Sequence, residues 1–265
     1  MKGKKLNLPR NKKKFLFKFI KDKVTLPSKA WKVHYDVESQ RYFIRKENNF
    51  GEGFIKPALR DFNSHTGIRI DWLNKLMYDI EQVNGFESEF NPNNPENNWR
   101  RTITTASHSY GPFNGRFNVR DSVYPNRLRN ISTMNNGIPV YGYYLRLEYE
   151  EDLEHILDFF NGYIQNVAVP FLNTCQTLQK INDEILDWYP VGKINRHFLY
   201  HGITLKLLIM GLCENPNYDA EYRAINKLLT PKVLADEWGK SWQRVIIDID
   251  KLANNKEKEQ YEEYL

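Results

Sequence analysis

Cysteine is nearly absent: Cys175 and Cys213 are the two in 265 residues. Two thiols build neither a disulfide framework nor a zinc-ligand spacing. Both fall inside apolar helical patterns, so they are expected as buried free thiols of a reducing compartment. Long hydrophobic runs are absent too. Phe15–Ile20 is short, interrupted by Lys18, and followed by no small-residue cleavage site. Neither a membrane span nor a signal peptide is expected, and the cytoplasm is the expected compartment. There is no phosphate-binding glycine loop, no dinucleotide fingerprint and no nucleophile elbow. The carboxylates of the C-terminal half show no pairing. No catalytic residue, metal or cofactor is therefore expected, and the balance leans away from an enzyme.

What is present in quantity is aromatic bulk. Tyr, Phe and Trp number 16, 15 and 6, or 14% of the chain, which supports a packed core or an aromatic interface. Lys, Asn, Ile, Tyr and Phe are all frequent, a bias typical of AT-rich bacterial coding sequences. The charge is unevenly placed. Residues 1–23 carry ten cations against Asp22, a net +9, in a chain whose whole charge is +5, so the rest sums to −4. The basic stretch reads as a solvated arm, or as one that meets nucleic acid or an acidic partner.

The hydrophobic period changes near Tyr149. Tyr141, Tyr143, Leu145, Leu147 and Tyr149 alternate with Arg146 and Glu148, the pattern of a half-buried strand. From Asp152 the apolar residues fall at Leu153, Ile156, Leu157, Phe160 and Ile164, one face of a helix. Glu150, Glu151 and Asp152 stand where a helix start favours negative charge. The expected fold is α+β: an antiparallel meander from Trp31 to Tyr149 with helices on one face, then an all-helical C-terminal half. The expected division is a basic arm over 1–25, an α+β domain over 26–190 with a loop insert near 86–139, and a helical region over 191–265.

Within that plan a short helix is expected from Lys13 to Asp22, burying Phe15, Phe17 and Ile20. Strands are expected at Trp31–Tyr35, Arg41–Glu47, Phe54–Phe62, Ile68–Trp72 and Arg101–Ser107. Gly111–Pro139 reads as a long irregular loop. The first C-terminal helix is expected to end near Pro170, the second to run from Phe171 to Ile185, and Asn195–Leu212 to be a central buried helix. Thr230-Pro231 reads as the start of a last helix burying Leu234, Trp238, Trp242, Ile246 and Ile249. The tail after Asn254 is expected to fray.

One distribution points to chemistry. No Lys occurs between Lys75 and Lys180, and the seven cations there are all Arg. Six of them, Arg100, Arg101, Arg116, Arg120, Arg127 and Arg129, face Asp121 alone between Trp99 and Ile131, with Trp99, Tyr110, Phe113, Phe117 and Tyr124 interleaved. The planar guanidinium fork suits carboxylate and phosphate, and this mixture is that of an anion- or nucleic-acid-binding surface. Pairing with the acids of the helical half is the plainer alternative. His197 and His201 share one helix face at i and i+4, but no third metal ligand accompanies them and residue 198 is Phe. His108, between Ser107 and Ser109, has no oxyanion motif beside it.

Tyr42-Phe43-Ile44-Arg45-Lys46, the strands after it, Tyr143–Tyr149, and Asp152-Leu153 through Val169-Pro170-Phe171-Leu172 resemble the domain of unknown function 4304 family. The resemblance covers about Trp31 to Leu186. It implies a bacterial cytoplasmic protein that binds a partner without catalysis, in one form a toxin-immunity protein, and it supplies no catalytic residues. The function expected is thus non-enzymatic binding of a protein partner, away from membranes. The alternative is a nucleic-acid-binding protein, or an enzyme acting on a phosphate-bearing substrate, working through the Arg-rich stretch.

Overall fold

The computed structural model describes residues 4–7, 9–10, 12–29, 31–36, 41–47, 50–56, 65–86, 103–104, 128–135, 138–145, 149–186, 191 and 202–264. Helices predominate and are joined by antiparallel strand pairs, so the chain is of α+β composition. It divides into two compact units. Unit 1 is Met1–Asn48, Gly53–Gly67 and Thr105–Asn173; unit 2 is Asn49–Glu52, Ile68–Thr104 and Thr174–Leu265.

Unit 1 opens with helix α1, Lys12–Lys23. Leu16 and Ile20, four apart, point inward and are buried; Phe15 and Phe19 are half-buried; Lys14, Lys18 and Lys21 are exposed. The expected helix is present, and Leu16 joins Ile20 as its inward anchor. The basic stretch is fastened at both ends. Lys5 bridges Tyr149, and the Glu150 amide donates to the Lys4 carbonyl at 3.0 Å. Lys23 pairs with Glu154 at 2.9 Å, and the Thr25 amide donates to Asn161 at 3.0 Å. From Lys4 onward the described part of the stretch is folded structure, not a solvated tail.

Strands β1 (Lys32–Asp36) and β2 (Arg41–Glu47) pair antiparallel from Lys32↔Arg45 to Asp36↔Arg41. Strands β3 (Glu52–Lys56), β4 (His65–Arg69) and β5 (Ile103–Thr104) follow in the chain. Two further strands, β6 (Leu128–Asn135) and β7 (Ile138–Leu145), form a separate antiparallel pair closing at Asn135↔Ile138. The irregular loop expected over Gly111–Pro139 is therefore wrong in its last part. Leu128–Asn135 looks too polar for a strand on its own, and pairing with β7 makes it one. The overlooked signal is Asn136-Gly137, a dipeptide favoured in two-residue hairpin turns.

Helix α3, Glu150–Tyr163, begins where the charge pattern places it. Asp152, fully buried, accepts from the Tyr149 amide at 2.7 Å, half of a capping box. Leu153, Leu157, Phe160 and Ile164 are buried as the spacing requires. The chain does not stop at Pro170. A π-helical turn, Ile164–Ala168, leads into α4, Val169–Thr174, with Pro170 second in that helix. Proline clashes with the carbonyl four residues back, and the wider π turn gives it room. The second expected helix is broken at Cys175–Thr177: Thr177 caps a new start by accepting from the Lys180 amide at 3.2 Å, opening α5, Leu178–Ile181. A second π-helical turn, Asn182–Leu186, follows.

Unit 2 is mainly helical. Helix α2, Asp71–Val83, buries Leu73 and Met77. It takes up Trp72, which was expected in a strand. It ends in a Schellman motif: Gly85 has φ +65°, the Gly85 amide donates to the Gln82 carbonyl, and the Phe86 amide donates to the Glu81 carbonyl. Helix α6, Gly202–Leu212, is buried from Thr204 to its end, the described part of the expected central helix. Helix α7, Tyr218–Asn226, follows the Asn215-Pro216-Asn217 break.

Two corrections fall near the C-terminus. Thr230 does not start the last helix: it accepts from the Val233 amide at 3.4 Å, ahead of a short 3-10 turn, Val233–Ala235, whose cap position is Lys232. The last long helix, α8, Glu237–Ala253, starts instead at Asp236, which accepts from the Gly239 amide at 2.7 Å. It buries Val245, Ile246 and Ile249, whereas Leu234 lies outside it and Trp238 is exposed. The tail does not fray: Lys256–Tyr264 forms a 3-10 helix whose Tyr261 stacks on Trp72 at 5.8 Å between ring centroids.

Candidate protein-binding surface

Arg100, Arg101, Arg116, Arg120 and Arg127 lie outside the described residues, as do His108, His197 and His201. Arg129 is placed by its backbone in β6, opposite Tyr144. The structure thus brings none of the six arginines into a described site. The two cysteines are free and buried. Burial first, and then the nearby Glu184 charge, push the Cys175 thiol well up. Burial and Asp183 push the Cys213 thiol up to about 12. Both are poor nucleophiles at neutral pH.

The interior of unit 2 holds polar groups that periodicity did not reveal. Lys206 Nζ and Glu221 Oε2 pair at 3.0 Å, with side chains only 2% and 3% exposed, joining α6 to α7. Asn215 donates to Asn182 at 2.8 Å and accepts from the Asn217 amide, fastening the α6–α7 turn to the π-helical turn. At the edge of this interior, exposed Asp183 accepts from Asn182 at 2.9 Å and from Gln179 at 2.8 Å. Tyr218 donates to Asp250 at 3.2 Å, and burial followed by the Asp250 charge raises its phenol pKa. These bonds link elements to one another, so their role is to fix packing and register. Among the described residues no three His, Cys, Asp or Glu side chains gather to hold a metal. No helix among them is long and apolar enough to cross a membrane.

The feature that runs against partition lies on the outer side of α8. Trp238 is 54% exposed although it packs, with tilted rings, against Trp242 at 5.5 Å and Phe86 at 5.7 Å between centroids. Its position follows from local structure. The Schellman motif at the end of α2 turns Phe86 inward against it, and Gly239 lets the start of α8 pass close to the Val233 carbonyl, where a Cβ would clash. Beside this cluster Arg244 is held in place. It donates to the Asn84 carbonyl at 3.0 Å and to Ser241 at 2.8 Å, and Asn84 donates to Asp248 at 2.8 Å. Lys251 and Asn84 hold the Asp248 carboxyl below its ordinary range. The result is a half-exposed indole on a rigid aromatic base, with a positioned guanidinium a turn and a half along the helix. Aromatic spacing could have pointed to it, since Trp238 and Trp242 are four apart, but that spacing reads equally as core.

No family model matches the chain, and no curated protein or solved structure matches it either.

Proposed function

We propose that this chain is a non-enzymatic binding protein, and that a folded protein partner docks on the α2–α8 surface around Trp238. The single observation that carries the reading is the exposure of Trp238 on its Phe86–Trp242 base. Leaving half an indole in water forfeits hydrophobic stabilisation, and a ring packed against two others has less rotamer freedom left to lose on binding. Both features suit a binding anchor. Trp and Arg dominate the energetics of protein interfaces, and Arg244 stands nearby in a fixed orientation. The resemblance to the domain of unknown function 4304 family points the same way and adds the toxin-immunity form and the cytoplasm. The full antiparallel meander from Trp31 to Tyr149, with helices on one face, belongs to the same proposal. The two antiparallel pairs support it. The enzyme or nucleic-acid reading through Arg100, Arg101, Arg116, Arg120, Arg127 and Arg129 rests on composition alone.

The test is quantitative affinity capture with the wild type, Trp238→Ala and a control at exposed Lys227, Lys227→Ala. One protein should be recovered in stoichiometric amount with the wild type and the control and be lost with Trp238→Ala, while circular dichroism shows all three folded. Equal recovery by Trp238→Ala would remove Trp238 as the anchor.

A further inference from the structure

Five charged side chains succeed one another at steps of three or four along α8: Glu237, Lys240, Arg244, Asp248 and Lys251. That spacing puts them on one face. Two pairs within the row close on themselves, Lys240 with Glu237 at 2.7 Å and Lys251 with Asp248 at 2.8 Å. The Glu237 carboxyl is held below its ordinary range mainly by Lys240, with the Arg244 charge a lesser cause. Arg244, exposed between the pairs, spends one edge of its guanidinium on uncharged acceptors. Nε and Nη2 donate to the Asn84 carbonyl at 3.4 and 3.0 Å, and Nη2 donates to Ser241 at 2.8 Å. Its Nη1 makes no hydrogen bond among the described residues, and the row keeps one positive charge. Apolar side chains flank it. Three of the five large apolar residues exposed among the described residues, Val83, Trp238 and Ile247, lie on α2 and α8. Val83 directly precedes Asn84, and Ile247 stands three residues beyond Arg244.

We infer that the protein partner of this surface sets an Asp or Glu carboxylate on the Nη1 end of Arg244 while a large apolar side chain of the same segment covers Trp238. The inference rests on Trp238 as the binding anchor and adds the chemistry of what meets it. Three physical points select a carboxylate. The guanidinium is already oriented, so little side-chain freedom is lost when it binds. A neutral acceptor would leave its charge uncompensated once the partner excludes water, whereas a carboxylate makes a charge-assisted bond. A phosphate would bring close to two negative charges to a row with one to spare, between Glu237 and Asp248. The span is short: about 9 Å of helix rise separates Trp238 from Arg244, which about three residues of an extended chain cover.

The test is selection of displayed random peptides on the full chain as wild type, Arg244→Gln and Trp238→Ala, each shown folded by circular dichroism. Peptides enriched on the wild type should carry Asp or Glu within about three residues of a large apolar residue. Arg244→Gln should keep the apolar preference and lose the acid, and Trp238→Ala should lose the apolar preference. The most enriched peptide, titrated by fluorescence anisotropy, should bind Arg244→Gln about tenfold more weakly than wild type. Replacing its acid by the matching amide should weaken wild-type binding by the same factor and leave Arg244→Gln unchanged, which separates the contact from any effect on folding. No enrichment on the wild type would overturn the inference. An acid preference absent from the wild type, or kept by Arg244→Gln, would overturn it and leave the Trp238 anchor standing. An apolar preference kept by Trp238→Ala would remove the anchor, and the inference with it.

Discussion

Helix α1 of unit 1 and the helices of unit 2 treat the boundary between water and core differently. In α1 the partition rule is followed: aliphatic side chains in, lysines out. In unit 2 the rule is inverted at several points, of which two carry the contrast. Lys206 is taken inside, 2% exposed, and Trp238 is left outside, 54% exposed. Charge on a surface is the default state of Lys and costs nothing to maintain. A buried ammonium and a half-exposed indole both cost free energy, so each requires a compensating role. For Lys206 that role is internal, the Glu221 partner across the α6–α7 packing. For Trp238 no internal role suffices, because its outer face meets water. The proposed protein-binding surface thus lies in unit 2.

The largest effect that would break this contrast is at the buried pair. Lys206→Met or Glu221→Gln alone leaves a charge without its counter-ion in the core. Each should lower unfolding free energy by about 3–5 kcal/mol. Lys206→Met/Glu221→Leu should recover most of it. Urea denaturation with an unchanged m-value is the measurement. If both singles cost under about 1 kcal/mol, the pair is solvated and the contrast fails at that point.

Next in size is Trp238→Ala. Loss of an interface anchor costs about 2 kcal/mol or more of binding, about thirtyfold in Kd. Isothermal titration with the captured partner reads this. Stability should fall by no more than about 1.5 kcal/mol, the worth of the aromatic contacts. A large loss of stability with unchanged binding would make Trp238 a core residue after all.

Capping gives a smaller and internally controlled comparison. Asp236→Ala should destabilise by about 1 kcal/mol, since it uncaps the long helix α8. Thr230→Ala should cost only about a few tenths of a kcal/mol, since it removes one long, exposed hydrogen bond beside a short 3-10 turn. The reverse order in chemical denaturation would restore Thr230 as the start of the last helix.

The smallest effect is at Asp248. Its folded pKa is lowered, by hydrogen bonds from Lys251 and then Asn84. A lowered carboxylate contributes stability above its ordinary value of 3.8 and loses it as pH falls through the folded value below that. Asp248→Asn should therefore cost less than about 1 kcal/mol at neutral pH. The difference from wild type should vanish as pH falls below about 3.8, read from denaturation midpoints across pH.

Legibility in the sequence followed the range of the interaction. The stripe Leu153, Leu157, Phe160 and Ile164 and the acids before it were readable, because a single periodic face decides them. Strand β2 was readable to its ends, Arg41 and Glu47. The hairpin β6–β7 was half readable: β7 alternates, whereas β6 is recognisable only through its partner and the Asn136-Gly137 dipeptide. The π-helical turns left no pattern, since Pro170 reads as a stop unless the widened turn before it is known. In the candidate surface, Trp238 fits the same 3.6-residue period as buried Val245 and Ile249, and period does not distinguish a face that meets core from one that meets water. Lys206 was hidden for the converse reason: a lone charge in an apolar helix shows neither its partner nor its burial.

The most direct test joins binding and stability at the two points. The wild type, Trp238→Ala and Lys206→Met/Glu221→Leu are each titrated with the captured protein partner and unfolded in urea. The account predicts separation: Trp238→Ala loses the partner about thirtyfold while losing no more than about 1.5 kcal/mol of stability, and the double variant keeps the partner. Unchanged partner binding by Trp238→Ala would contradict it.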